Sequence, residues 1–376
     1  MNASLADEEW RLICSVLPED WHQTARSFGA LTRARNIRDA DTLLRLIFLH
    51  TAAGLSLRQT VARAQVAELA TISDVALLKR LRGAEGWLCH LNQQLARGQL
   101  KTAARWAQLA GRVLRVVDAT DVEEPGATGT DWRIHYTLRL PSLECDFFEL
   151  TDVKGGETLL RLPVRQGDLL LADRGYSHRA GAAHVIRNHG DLIVRLSTSN
   201  FPLLDTKGKA LDLVKTLRQL QGHQPREWKV QFDWEGKRYS GRLCAVRKTR
   251  AATERTRKKI LHRAQRKQQQ VQPVTLELAE FFFVFTTLPA TEFPVATVLE
   301  LYRCRWQVEL VFKRLKSLLG LGHLPKYDER SCRAWLQAKL LCALLIERFM
   351  REAKFFSPWG FALLPEQRMA VVSGGA

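Results

Sequence analysis

The sequence predicts an α/β fold, its core interrupted by a β-rich insertion and preceded by an all-helical segment. Three observations along its 376 residues point there. Residues 1 to 108 carry helical periodicity with few strand signals. From about residue 109, short apolar runs alternate with helical stretches, the pattern of an α/β domain. Between 201 and 275, paired strand signals and a strongly basic helix break that alternation. The expected division is a helical domain over 1–108, the core over 109–200 and 276–325, the insertion over 201–275, and a C-terminal helical segment over 326–376.

In the first segment an apolar helix begins near Asp39 and runs to His50, with Asp41 as its N-cap. Ser56, after the turn at Gly54, caps a second helix. A third begins at Ser73 and carries Lys79, Arg80 and Arg82. Short helices joined by tight turns, the last of them basic, fit a helix-turn-helix-like DNA reader; they fit an ordinary helical bundle nearly as well.

In the core, Val113–Val117 is β-rich and ends at Asp118, Ile134–Leu140 alternates like a half-exposed strand, and Cys145–Thr151 makes another. The Gly126–Asp131 loop joining the first two has neither the spacing nor the lysine of a phosphate-binding loop. Asp168–Ala172 is apolar enough to be buried on both faces and leads directly to Asp173, where Gly175 allows a sharp exit. Leu192–Ser197 adds a strand. In the insertion, Trp228–Trp234 and Tyr239–Val246 read as paired strands around a Glu235-Gly236 turn. A basic helix from about Thr253 to Gln270 follows, its Arg255, Arg257, Lys258, Lys259, Arg263, Arg266 and Lys267 suited to phosphate contact or to a solvated face. Phe281–Pro289 returns to strand character, and a helix begins near Val295. Cys332–Phe349 reads as a last helix, while the final ten residues have no core pattern and leave truncation of this segment open.

Charge narrows the function. Lys and Arg total 57 against 39 acids, a formal charge of +18, which argues for a polyanionic partner, with nucleic acid the usual one. The longest apolar runs, such as Phe281–Phe285, are far too short to span a bilayer. The N-terminus lacks the basic-then-apolar pattern of a signal peptide. Seven cysteines without a CxxC pair read as reduced thiols of a cytoplasmic protein and argue against zinc or disulfides.

Within 302–316 the spacing is informative. At about 100° per residue, setting Tyr302 at zero puts Arg305, Glu309 and Lys316 at roughly 300°, 340° and 320°. A lone carboxylate is thus flanked along one ridge by two cations and a phenol, beside an apolar seam. That suits a metal-binding carboxylate with phosphate-holding neighbours; a solvated charged face is the plainer reading. Phosphoryl transfer without an organic cofactor uses two divalent cations about 3.5–4 Å apart, held by acidic side chains. Asp118 and Asp173, each at the end of an apolar strand, are candidate partners for Glu309, although a strand-end Asp is often only a turn former. Asp121 is the rival for the first position. His135 and Tyr136 could line the site or be structural. Arg174 could hold DNA or pair with a carboxylate.

The Tyr302-x2-Arg305-x3-Glu309-x6-Lys316 spacing resembles the Y-R-E-K signature of the insertion-sequence-four family of bacterial DDE transposases. Asp118 in Val-Val-Asp-Ala-Thr and Asp173 in Ala-Asp-Arg-Gly-Tyr resemble its first and second catalytic aspartates. The likeness runs from about residue 35 to 330. It implies an RNase H-like catalytic domain carrying the β-rich insertion, and cut-and-paste transposition of an insertion sequence by hydrolysis and strand transfer. Asp118, Asp173 and Glu309 would bind two Mg²⁺ or Mn²⁺ ions. Tyr302, Arg305 and Lys316 would grip phosphates at the transposon end. The partners implied are double-stranded DNA, as transposon ends and target, and a second copy of the chain in a synaptic homodimer. The resemblance also implies a bacterial cytoplasmic, nucleoid-associated location, with no membrane partner. Phe282 stands near the family's base-stacking aromatic, where relatives carry Trp, and is expected here to pack in the core. The alternative function is a catalytically incompetent or inhibitory transposase that only binds DNA.

Overall fold

The computed structural model describes residues 3–32, 36–98, 109, 111–124, 126, 132–140, 144–321, 324–325 and 328–353. In chain order the elements are α1 (Ala3–Ser15), α2 (Trp21–Ser27), α3 (Ala40–Thr51), α4 (Leu57–Val66), α5 (Asp74–Gly83), α6 (Glu85–Gly98), β1 (Val113–Val122), β2 (Trp132–Leu140) and β3 (Glu144–Asp152). There follow β4 (Asp168–Ala172), α7 (Arg179–Arg187), β5 (Asp191–Arg195), α8 (Leu213–Arg218), β6 (Arg226–Trp234), β7 (Lys237–Arg247), α9 (Arg250–Arg266), α10 (Pro273–Leu278), β8 (Phe281–Thr286), α11 (Val295–Arg303), α12 (Trp306–Leu318) and α13 (Glu329–Ala353). The fold is mixed α/β. It forms two compact units, one of residues 1–100, 122–129 and 314–376, the other of residues 101–121 and 130–313.

The first unit is helical. α3 is capped by Asp39, whose side chain accepts from the Thr42 N–H at 2.7 Å. Asp41, expected as the cap, lies inside the first turn and pairs with Arg45 at 2.9 Å. Asp39 wins because its backbone is extended, as an N-cap requires. Ser56 caps α4 in a reciprocal capping box with Gln59, and Ser73 caps α5. On α5, Lys79 is exposed, while Arg82 is neutralised by Asp328 at 2.9 Å. α13 packs against α6, α5 and α3. Its Cys332, Leu336, Leu340 and Leu344 recur every fourth residue and are buried. Asn92 of α6 donates to both the backbone carbonyl and Oε1 of Gln337, each at 2.9 Å. Residues 354–376, including the tail in which truncation was left open, lie outside the described residues.

The second unit is built on one eight-stranded sheet, order β3-β2-β1-β4-β5-β8-β7-β6. β1, β4 and β5 are parallel, whereas β2 with β3 and the run β5, β8, β7, β6 pair antiparallel. All five β4 residues are buried, as a strand covered on both faces requires. Val117, Leu170, Leu192, Val194 and Phe285 make a core cluster with Ala182, Ala183 and Val185 of α7. Each fully buried Leu or Val there stabilises the fold by about 1.5–3 kcal/mol. The β6–β7 hairpin turns at Glu235 and Gly236 with φ of 48° and 71°, the doubly left-handed geometry that matches strand twist. β7 then pairs with β8, so the stretch from 226 to 247 extends the same sheet. α9 buries only Thr253, leaving its arginines and lysines on a largely solvated helix.

Candidate active site

Two parallel strands in register fix the centre of the site. β1 and β4 pair from Val113 beside Asp168 to Val117 beside Ala172, and the next residue on each strand is Asp118 and Asp173. Adjacent strands lie about 4.8 Å apart, so the two carboxylates leave the ladder side by side at its C-terminal end, where open α/β sheets bind ligands. The sequence placed Asp118 at the end of a strand. β1 instead continues to Val122, and what ends at Asp118 is the pairing with β4. Asp121 is exposed and bound to Arg133 at 3.0 Å.

Asp118 is mostly buried, and burial pushes its pKa up to about 7. The Ala119 N–H bond at 2.9 Å and Arg305 pull it down, while Asp173 and Glu157 push it up. Asp173 Oδ1 accepts the Gly175 N–H at 2.7 Å. His135 is buried, and burial, with the charges of Arg161 and Arg133, lowers its pKa to about 4; its Nε2 lies 3.1 Å from Thr151 Oγ1. It has a structural place in the β2–β3 pair.

The helix carrying Glu309 is not continuous. α11 ends at Arg303, Cys304 and Arg305 form a turn, and α12 restarts at Trp306. The single ridge expected from Tyr302 to Lys316 is therefore broken after Arg303. Tyr302 is buried on α11, and burial pushes its pKa up to about 12. Its ring stands 5.4 Å from that of Phe282, over which the Arg195 guanidinium lies at 5.9 Å. Phe282 is thus half-exposed beside the Arg195 cation, and Phe285 fills the core position. Arg305 sits at the turn and bridges two carboxylates: it donates to Asp118 at 3.3 Å and to Glu309, an exposed residue one helical turn on. Glu309 and Lys316 share a face of α12, and both are exposed.

Glu157 and Tyr176 were not read from the sequence. Glu157 follows Gly155-Gly156 in a loop, with no periodicity to mark it. Tyr176 sits in the Asp173-Arg-Gly-Tyr stretch as an apparent core aromatic. A second cluster is cationic. Arg174, beside Asp173, has its pKa lowered by burial and by Arg195 and Arg263. Lys248 is pushed down to about 8 by burial and Arg195.

The transposase DDE domain family matches residues 150–345, a span that includes Asp173 and Glu309 and leaves Asp118 outside. The chain is 36% identical over 359 residues to the InsL protein of insertion sequence element IS186A of Escherichia coli K12, covering 93% of this chain and 96% of that one. The transposase for insertion sequence element IS421 of Escherichia coli is likewise 36% identical over 360 residues, with the same coverage. The chain belongs to the DDE transposase family. It is a DNA transposase, of a family of metal-dependent DNA nucleases and strand-transferases. A more distant sequence likeness is the transposase for insertion sequence element IS231F of Bacillus thuringiensis subsp. israelensis, 27% identical over 37% of this chain and 29% of that one. Among solved structures, the piggyBac transposase synaptic complex with hairpin DNA superposes with a TM-score of 0.46 at 9% identity, over 92% of this chain and 74% of that one.

The donor set suits a divalent cation. Asp118 and Asp173 offer oxygen ligands side by side at a ladder end; the raised pKa of Asp118 comes first from burial, with the charges of Asp173 and Glu157 adding to it. Among the described residues, no three His, Cys, Asp or Glu side chains stand close enough to hold an ion as placed; Glu309 is engaged by Arg305. Among the same residues no helix is long and apolar enough to cross a membrane.

Proposed function

We propose that the chain excises an insertion sequence and joins the freed 3′-hydroxyl ends to target DNA, with Asp118, Asp173 and Glu309 holding two Mg²⁺ or Mn²⁺ ions. The carrying observation is the β1–β4 register, which sets Asp118 beside Asp173 at the ladder's end. Ions bound there supply activation of the attacking oxygen and stabilisation of the leaving one.

The residues prepare that chemistry. Arg305 holds Asp118 and Glu309 in the DNA-free chain; on taking a DNA phosphate it releases both carboxylates. Lys316 holds a further phosphate at the element end, and Tyr302, whose hydroxyl is buried in the chain alone, takes one only once DNA binding uncovers it; with Arg305 and Glu309 they make up a Y-R-E-K signature. Arg174, Arg195, Arg263 and Lys248 repel one another, a repulsion that a phosphate backbone relieves. The strand order β3-β2-β1-β4-β5, with β1, β4 and β5 parallel, supports an RNase H-like core. The stretch from 201 to 275 is its insertion, and α4 with α5 serves as the DNA-reading part of the N-terminal domain. Two copies act together at paired ends, in the bacterial cytoplasm at the nucleoid.

The test is excision of a marked element from a donor plasmid in Mg²⁺. Wild-type protein is expected to release the element, and Asp173→Ala and Glu309→Ala to lose release by at least about a thousandfold. Release at wild-type level by either variant removes that residue from the site; no release by the wild type favours a DNA-binding protein without turnover. Lys316→Ala is expected to weaken binding to element ends and to lower the slope of log K against log salt by about one. An unchanged slope removes the phosphate role.

A further inference from the structure

We propose that Glu157 is a fourth carboxylate of the metal site, supplying an oxygen ligand to an ion held by Asp173 from across Gly175. This rests on the assignment of Asp173 as a metal ligand. Geometry carries it. A Cβ built on Gly175 would lie 1.7 Å from Glu157 Oε2 and 3.1 Å from Asp173 Oδ1. The two carboxylates therefore face one small space that only a glycine leaves open. Like charges so placed repel, and among the described residues no ion pair or hydrogen bond of the Glu157 carboxylate offsets that repulsion. Arg133, the nearby cation, is engaged by Asp121 at 3.0 Å and the Gly155 carbonyl at 3.2 Å.

A second observation points into the same space. Tyr176 is 1% exposed, and its hydroxyl has no hydrogen-bond partner among the described residues. The charges that act on it are those of Glu157, Asp118 and Asp173, with Arg133 opposing. A buried hydroxyl left unpartnered beside three carboxylates is costly. A hydrated cation held by those carboxylates would give the hydroxyl a water to bond. Glu157 also lies on the loop after β3, so it reaches Asp173 without help from α12 and is independent of the Arg305–Glu309 bond.

The test is Mn²⁺ binding to the full-length, DNA-free protein, read as loss of the free-ion electron paramagnetic resonance signal, with melting temperature followed in parallel. Asp173→Asn is expected to abolish binding, and Glu157→Gln to weaken it about tenfold. Glu157→Gln should melt no lower than wild type without metal, because it removes a repulsion. Gly175→Ala keeps both carboxylates but pushes Glu157 away, so it should match the loss in Glu157→Gln and add nothing to it in the double variant. If Asp173→Asn loses Mn²⁺ while Glu157→Gln binds as wild type does, the role of Glu157 is overturned and that of Asp173 stands. Loss of affinity in Glu157→Gln matched by a fall in its metal-free melting temperature marks a structural residue and overturns the proposal. If no variant changes binding, or the wild type takes up no Mn²⁺, both assignments fall.

Discussion

Asp118→Asn is expected to abolish excision and, at pH 8 without divalent ions, to raise the protein's unfolding temperature. The two effects share one cause. Burial holds the Asp118 pKa at about 7 in the folded chain, above its ordinary value of 3.8. The folded state therefore binds more protons than the unfolded one between those two values, and stability falls as pH rises through that window. Above it the wild type carries the whole penalty of a buried, ionised carboxylate beside Asp173 and Glu157. Asparagine has no charge to bury and is nearly the same size. The gain is on the order of 1–3 kcal/mol, offset in part because Arg305 loses an ionic partner. At pH 4, where both forms are neutral in the folded state, the two proteins should melt much closer together. For turnover the same change removes an anionic oxygen from the proposed metal site, and a loss of at least about a thousandfold corresponds to about 4 kcal/mol of barrier. Plasmid excision and thermal melts at both pH values check it. Retention of excision within tenfold of wild type would transfer the first metal position to another residue, with Asp121 the nearest rival.

Arg115→Ala is expected to be the most destabilising single change in the sheet unit. The Arg115 side chain is 4% exposed inside a network of charges. It meets Asp146 at 2.8 Å and Asp168 at 2.7 Å, and donates to the Pro163 carbonyl at 2.9 Å. Arg139 approaches Asp146 at 3.7 Å. Truncating Arg115 leaves two buried carboxylates short of a cation, which costs about 3–5 kcal/mol. Urea unfolding should show the extrapolated unfolding free energy fall by that amount, with a lower midpoint, and Arg115→Ala combined with Asp168→Asn should be less damaging than the sum of the single changes. A loss under about 1 kcal/mol would mean that water reaches the network.

Much of the fold is legible because its signals are local. The caps at Ser56 and Ser73, the Glu235-Gly236 turn and the run Asp168–Ala172 are each written in neighbouring residues, and each is found in its place. The Asp39 cap was missed by two residues, since both aspartates can cap and only the backbone angle at Asp39 decides. The break at Cys304–Arg305 was missed because the apolar seam keeps a helical period straight across it. That break moves Arg305 off a ridge and into contact with Asp118.

The chain's own letters determined a basic α/β protein with acidic residues closing apolar runs and a carboxylate among cations, because composition, capping and periodicity act over a few residues. They could not decide which carboxylates meet. The in-register ladder of β1 and β4 brings Asp118 to Asp173, the missing side chain of Gly175 admits Glu157, and the turn after α11 gives Arg305 to both Asp118 and Glu309. Asp146 and Asp168 meet on Arg115 for the same reason. Such pairings join residues far apart in the chain, and desolvation and Coulomb forces act on distance in space, which only the packed sheet fixes.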